Sequence, residues 1–70
     1  MLSLLSAPVG QMLEIKWITC NQVISDFLDR CGLKQGESVR VVSSAGGSVI
    51  VAVDDIRIAI GRDIAERIKI

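Results

Sequence analysis

The stretch from Ser48 to Ile60 constrains the fold more than any other part of the chain. It holds two runs rich in β-branched residues on either side of Asp54-Asp55, which predicts two short strands joined by a tight turn. With a two-residue loop, the facing pairs are Val53–Ile56, Val51–Ile58 and Val49–Ile60. Because opposed residues on paired strands point to the same side, all six side chains share one face. Such a hairpin needs more strands or a helix to cover that face.

The composition limits the size and the chemistry of the core. Seventy residues are enough for one small domain, residues 1–70, with a modest core. Half of the residues are apolar, yet the chain has one Trp, one Phe and no Tyr, so the core must be aliphatic. Because acidic and basic residues cancel to a net charge of zero, nothing points to nucleic acid or an anionic membrane as a partner.

Nothing in the sequence indicates export or insertion into a membrane. The apolar run at Met1–Pro8 lacks a basic start and is too short for the apolar region of a signal peptide. No stretch approaches the roughly 18 apolar residues that a spanning helix needs. Cys20 and Cys31 allow at most one disulfide, whereas small secreted domains usually carry several. The sequence therefore predicts a cytoplasmic protein with reduced thiols.

The N-terminal part of the chain predicts a lead-in and a first strand. Residues 1–10 form the lead-in, which turns at its Pro and Gly before the strand over residues 11–18. In that strand Leu13, Ile15 and Trp17 alternate with charged residues. Trp17 is therefore expected to pack inward rather than to stack on a ligand.

A helix is predicted over residues 22–31. Asn21 is a suitable N-cap, and Gly32 is a suitable left-handed residue after the helix, which lets Leu33 fold back onto the last turn. The apolar residues repeat with the period of a helix and form one stripe, which should face the core: Val23, Ile24, Phe27, Leu28 and Cys31.

The next strand is predicted over residues 37–43. Val39 and Val41 join the apolar face of the hairpin only if they pair with Val53 and Val51. The two residue numbers of each pair across these strands then sum to an even number. The connecting loop then has three or five residues. A three-residue loop with a left-handed glycine meets this requirement, and Gly46 and Gly47 supply the glycine.

The C-terminal part predicts a helical turn and a last short strand. Gly61 ends the hairpin, and residues 62–67 form the turn, from which Ile64 and Ala65 face inward together with Ile68. Ile68–Ile70 alternates again and is too short to exist unpaired. Pairing it with the first strand closes five strands into a small barrel and hides the sheet edges.

The residues needed for catalysis or metal binding are missing. The chain has no histidine, and Cys20 and Cys31 lack the spacing of a zinc or redox motif. Asp54-Asp55 supplies at best part of a coordination shell, and Gly46-Gly47 lacks the pattern of a phosphate-binding loop. The sequence therefore predicts a binding or regulatory module with no catalytic, cofactor or metal site.

The order of the elements resembles that of the ferrous-iron transport protein A (FeoA) family. Members typically read as a Pro-Gly lead-in, then LGLxPGxxVxV, a short hairpin, IAL and a terminal AxxIxV. The corresponding segments cover nearly the whole chain: Pro8-Val9-Gly10, Cys31-Gly32-Leu33-Lys34-Gln35-Gly36, Val39-Arg40-Val41, Val49-Ile50-Val51, Arg57-Ile58-Ala59-Ile60 and Ala65-Glu66-Arg67-Ile68-Lys69-Ile70.

The resemblance implies a mainly β, five-stranded SH3-like barrel with one inserted helix, about 22–31, and a helical turn, about 62–67. It also implies a non-enzymatic cytosolic accessory protein that binds the cytosolic part of FeoB, the membrane GTPase transporter of ferrous iron. On this reading a surface around the helix contacts FeoB. The expected partner-binding residues are Leu28, Asp29, Arg30 and Leu33, with the leucines as apolar anchors and the charges at the rim. The alternative is that Leu28 and Leu33 simply pack beneath the helix.

The helix departs from the family pattern. It is often basic in the family, whereas this chain has Asp26 and Asp29 there, a lone Arg30, and Cys31 where Leu is usual. If a basic helix is needed for the partner, this chain is expected to have a different partner surface or a weaker contact.

Two other functions are compatible with a small barrel. One is a free-standing version of the SH3-like domain of iron-dependent repressors, which would sense metal or mediate protein contacts, although no helix-turn-helix accompanies it here. Binding of Pro-rich segments needs an aromatic-lined groove, for which Trp17 and Phe27 are insufficient.

The other alternative function is that of a nucleic-acid-binding barrel, which needs a basic face with aromatic residues. The sequence leaves the oligomeric state open, and a homo-oligomer is compatible with it.

Overall fold

A computed structural model describes residues 2–70, which form six short strands, two α-helices and one 3-10 turn. The 3-10 turn is Leu4–Ser6, and the other elements in chain order are β1 Met12–Glu14, β2 Trp17–Ile18, α1 Gln22–Arg30, β3 Ser38–Ala45, β4 Ser48–Val53, β5 Ile56–Gly61, α2 Arg62–Ala65 and β6 Ile68–Lys69.

The strands form two antiparallel sheets. The larger sheet has the order β1-β3-β4-β5, and the smaller sheet pairs β2 with β6. This arrangement confirms the predicted mainly β, SH3-like barrel with a helix inserted between the N-terminal strands and β3. It also confirms that the last strand pairs with the predicted first strand.

The predicted first strand is divided between the two sheets, which is why six strands replace the expected five. The amide of Ile15 donates to the carbonyl of Glu37 beside the larger sheet, at 2.9 Å. The next amide, that of Lys16, donates to the carbonyl of Lys69 in the smaller sheet, at 2.8 Å. A single continuous segment thus links both sheets.

This transition changes the direction of the side chains, so the inward orientation predicted for Trp17 is wrong. Ile15 is fully buried, but Trp17 is 54% exposed and Ile18 is half-buried. The strict alternation of a strand holds only while the segment stays in one sheet. Between Ile15 and Ile18 the chain passes from one sheet to the other, and the alternation of inward and outward side chains is lost.

The central hairpin has the predicted register, with Val53 opposite Ile56 and a two-residue loop at Asp54-Asp55. Asp54 adopts a φ of 54°, the left-handed conformation that such a loop requires. Five of the six aliphatic side chains are buried or half-buried, but Ile56 is 56% exposed. The expectation that it joins the core is wrong, because Ile56 lies next to the loop, at the end of a strand that has a neighbour on one side only.

The connection from β3 to β4 differs from the prediction. Ala45 pairs with Ser48, so the loop has two residues, Gly46 and Gly47, and not three or five. The register instead shifts between Val41 and Ser43, where a β-bulge inserts one residue. Val41 therefore still pairs with Val51, as predicted. The bulge, and not the length of the loop, sets this register.

The helix α1 begins and ends as its caps predict. The side-chain oxygen of Asn21 accepts a hydrogen bond from the amide of Ile24 at 2.9 Å. At the other end Gly32 has a φ of 89°, and the amide of Leu33 donates to the carbonyl of Leu28 at 2.8 Å. This is the hydrogen bond of a Schellman motif, and it directs the chain back under the helix.

Gly32 also brings the end of the helix close to the large sheet. A Cβ at this position would lie 3.0 Å from Cγ1 of Val53. Since that distance is shorter than an ordinary van der Waals contact, the lack of a side chain allows the turn after α1 to pack directly on β4.

The N-terminal segment contributes more to the core than a lead-in would. Leu4 is fully buried, Ser3 forms a bridge with Lys69, and the amide of Ile70 donates to the carbonyl of Leu2 at 2.8 Å. Met1, the first residue of the predicted lead-in, lies outside the described residues. The core is entirely aliphatic: Leu4, Ala7, Ile15, Leu28, Leu33, Val39, Val41, Val49, Val51, Val53, Ile60, Ala65 and Ile68.

Candidate protein-interaction surface

The four residues that the sequence suggests for partner binding are divided between the core and the surface. Leu28 is 2% exposed and Leu33 is fully buried, whereas Asp29 and Arg30 are exposed. The two leucines pack beneath α1 and the turn that follows it. They therefore support the surface from below, and a partner that reaches this face touches other side chains.

The exposed apolar residues of α1 are Val23 and Phe27. Val23 is 78% exposed and Phe27 is 54% exposed. They are four residues apart and so lie next to each other on the helix, with Asp26 and Arg30 on the same side. These four residues, Val23, Asp26, Phe27 and Arg30, are called the helix patch below.

The predicted apolar stripe of α1 consists of two rows, and this explains the difference. Ile24, Leu28 and Cys31 form one row, which is buried or half-buried. Val23 and Phe27 form a second row, turned from the first by about 100° because successive helix residues are rotated by that angle. A single helix on so small a core buries one row and exposes the other. An apolar stripe too wide to be buried therefore predicts, from the sequence alone, that some of its residues are exposed.

The charges around the helix patch have no ionic partners. Within residues 2–70 the ion pairs are Lys16 with Glu14 and Arg62 with Glu66, and neither includes a residue of α1. Asp26 accepts a hydrogen bond from the side-chain nitrogen of Gln22 at 2.7 Å, which fixes its position on the helix.

A shallow groove of about 300 Å³ lies beside the N-terminal end of α1. It separates α1 from α2 and has half-buried apolar walls in Ile24 and Ile64, together with the half-buried thiol of Cys20. Asp63 and Arg67 line the α2 side of the groove and are exposed. The side of α1 that carries Ile24 thus borders a concave region with apolar walls and charged edges.

Cys20 and Cys31 are free thiols and half-buried. Across residues 2–70, no group of three or more His, Cys, Asp and Glu side chains is placed to hold a metal ion. The same stretch contains no helix that is long and apolar enough to cross a bilayer. An apolar pair on a rigid helix, with one acid and one base beside it, is suited to binding another protein.

Comparisons with known proteins relate the whole chain to one family. The model of the FeoA domain family matches residues 2–70. A crystal structure of an iron uptake regulatory protein (FeoA) is 25% identical, with a TM-score of 0.82, and covers 96% of this chain and 89% of the other. No curated protein matches the sequence.

A solution NMR structure of FeoA protein from Chlorobium tepidum is also similar. It is 21% identical, with a TM-score of 0.88, over 97% of this chain and 67% of the other. At that identity the likeness concerns the fold alone.

Proposed function

Since the chain belongs to the FeoA family, we propose that it is a non-enzymatic cytoplasmic accessory protein of ferrous-iron uptake that binds the cytosolic part of the transporter FeoB. The family match extends from residue 2 to residue 70 and so includes every element of the barrel. The family is associated with ferrous-iron transport, which identifies the process in which this small domain takes part. Binding to FeoB is the specific step of the proposal.

The helix patch is the observation that supports this step. Binding energy in protein interfaces is concentrated in a few apolar or aromatic side chains surrounded by polar ones. Phe27 is the only phenylalanine of the chain, it is more than half exposed, and it lies beside the even more exposed Val23. Solvent exposure of such a pair is unfavourable in the isolated protein and favours its burial against a partner.

The predicted partner residues retain roles in this proposal. Asp29 and Arg30 are exposed on the last turn of α1, where they form the polar edge of the contact. Leu28 and Leu33, which are buried, hold the helix against the barrel. Because they keep the patch rigid, little conformational entropy is lost when a partner binds.

The charges of α1 as a whole, which include Asp29 beside the helix patch, select the kind of partner surface that fits. Asp26 and Asp29 outnumber Arg30 on α1, so a partner surface with an excess of basic residues is favoured. This preference distinguishes the present chain from relatives with a basic helix.

Titration of the labelled protein with the purified soluble GTPase domain of FeoB tests the proposal. We expect amide shifts to concentrate on α1, and Phe27→Ala to weaken binding by about 30-fold, the effect of losing an anchor worth about 2 kcal/mol. Trp17→Ala is the matched control, since Trp17 is also aromatic and also 54% exposed but lies on β2.

Either of two results would refute the proposal. One is the absence of binding at tens of micromolar, a concentration at which transient regulatory complexes form. The other is equal binding by Phe27→Ala and the unsubstituted protein, which would exclude the helix patch as the contact.

A further inference from the structure

The strand β5, Ile56–Gly61, is an edge of the larger sheet. It pairs with β4 on one side, and no other strand of residues 2–70 lies on its other side. The prediction that barrel closure hides the edges is therefore wrong for this strand. Closure joins β2 to β6 in the smaller sheet and leaves β5 unpaired.

The register of the hairpin determines which backbone groups of β5 point outward. In a hairpin with a two-residue loop, the residues that flank the loop form a hydrogen-bonded pair, and hydrogen-bonded pairs then alternate with non-bonded ones. Ile56, Ile58 and Ile60 thus bond to β4. Arg57 and Ala59 direct their N–H and C=O groups away from β4, toward the open side.

These four outward groups have no other partner. Among residues 2–70 no turn, loop or terminal segment forms a backbone hydrogen bond with Arg57 or Ala59. Both residues are exposed. A row of unpaired donors and acceptors is a template on which another strand can pair.

Soluble proteins usually protect such an edge, and β5 lacks most of the common protective features. It contains no Pro, no Lys and no bulge, and its only charge is that of Arg57. The inner face of the strand is also incompletely covered, since Ile56 is 56% exposed and Ile58 is half-buried.

We propose that β5 is a self-association site, at which a second copy of this chain pairs its own β5 antiparallel across a two-fold axis through Ile58. In this register Arg57 faces Ala59 of the second copy, and Ala59 faces its Arg57. The four outward groups of each copy are then satisfied by four hydrogen bonds, and two four-stranded sheets become one of eight strands.

The side chains match in the same register. Ile58 faces Ile58 of the second copy, and Ile56 faces its Ile60, so that three isoleucine pairs cover the partly exposed inner face. Opposed β-branched pairs of this kind stabilise antiparallel strands. The exposure of Ile56 in the monomer is thereby removed.

The charges also favour this register. With the axis at Ile58, each Arg57 faces an alanine of the second copy, so like charges do not oppose each other. Placing the axis at Arg57 instead would oppose two arginines directly, which is unfavourable. A two-fold contact must be self-complementary, and here the backbone, the isoleucines and the charges all meet that condition. This is the argument for a second copy rather than a foreign strand.

Sedimentation analysis of the purified chain tests this inference independently of FeoB. The interface is small, so measurements should extend from about 10 μM to about 1 mM. We expect the mass to rise with concentration from 7.6 kDa toward twice that value. We also expect the amide resonances of Arg57 and Ala59 to shift over the same range.

The decisive variant is Ala59→Pro. The amide of Ala59 does not bond to β4, and proline is tolerated at such positions of an edge strand, so the monomer should fold. The variant lacks a donor at the centre of the interface and should weaken association at least about tenfold. Ala59→Val is the matched control, since it keeps the N–H and should associate like the unsubstituted chain.

A second pair of variants separates this edge from the helix patch. Ile56→Lys should abolish association, because it places two charges at the interface, and Val23→Lys should leave it unchanged. A monomer at all concentrations would overturn the inference, and so would a dimer that survives Ala59→Pro in a folded protein. Loss of the dimer in Val23→Lys, but not in Ile56→Lys, would assign self-association to α1 and overturn it equally.

Discussion

The two strands of the central hairpin have similar sequences and different environments. On β4 the inward residues Val49 and Val51 are fully buried and Val53 is 6% exposed. On β5, Ile60 is 3% exposed, but Ile56, directly opposite Val53, is 56% exposed. Isoleucine is larger and more apolar than valine, so side-chain hydrophobicity does not explain the difference. The covering of each position does, since Val53 lies on a strand between β3 and β5 and beside the turn at Gly32, whereas Ile56 lies at the loop end of the edge strand β5.

The comparison shows that two strands with the same alternation of aliphatic residues contribute unequally to the free energy of unfolding. A side chain in the middle of a sheet is covered from both sides, and its removal leaves a cavity. A side chain that water already reaches, such as Ile56 on the edge strand, can be shortened with little loss. Four substitutions in and around the hairpin test this difference, and we describe them in order of decreasing expected effect.

Val51→Ala should give the largest effect. The side chain is fully buried on the central strand, and removing its two methyl groups should lower the free energy of unfolding by about 2–3 kcal/mol. Urea denaturation followed by circular dichroism measures this value. A loss below about 1 kcal/mol would show that the site collapses easily and would contradict the importance of β4.

Gly32→Ala tests the far end of the same strand. Its φ of 89° is unfavourable for alanine, and the new Cβ would lie 3.0 Å from Val53. We expect a loss of about 1–2 kcal/mol, intermediate between the central strand and the edge. Gly36→Ala, at a φ of 92° but with nothing within 4 Å, is the matched control and separates the strain from the steric contact.

Ile56→Ala should have a small effect in the monomer. The side chain is 56% exposed, so the loss should stay below about 1 kcal/mol, much less than at Val51. The measurement belongs at low protein concentration, where self-association through β5 does not contribute. A loss equal to that of Val51→Ala would eliminate the contrast between the two strands.

Asp54→Asn should give the smallest effect, and in the opposite direction. Asn is at least as suited as Asp to the φ of 54° at this position, and the change removes the repulsion from Asp55. We expect a gain of about 0.5 kcal/mol, measured as a higher urea midpoint with an unchanged slope. Because the turn joins both strands, the gain should be the same in the background of Ile56→Ala.

Much of the fold follows from patterns within short segments. The register of the hairpin could be predicted from the positions of Val51 and Ile58 around Asp54-Asp55. The bounds of α1 could be predicted from Asn21 and Gly32, because caps satisfy backbone groups within one turn of themselves. In both cases the residues that decide the structure are close in sequence.

The candidate site could be predicted only in part. The resemblance to the FeoA family suggested the helix as the contact surface, with Asp29 and Arg30, which are exposed, and with Leu28 and Leu33, which are buried. The sequence did not predict that Phe27 is exposed, because Phe27 belongs to the same wide apolar stripe as the buried Leu28. Which row of that stripe is buried depends on how α1 lies on the barrel.

The sequence by itself determined the elements and their local geometry: a β-rich chain, a tight hairpin, a capped helix and an aliphatic core. Only the tertiary structure decided where alternation fails, at the passage of the chain between sheets before Trp17 and at the bulge beside Val41. It also decided which apolar residues stay exposed, on α1 and at the edge strand β5. The physical reason is that backbone conformation depends on adjacent residues, whereas burial depends on what packs against them from elsewhere in the chain.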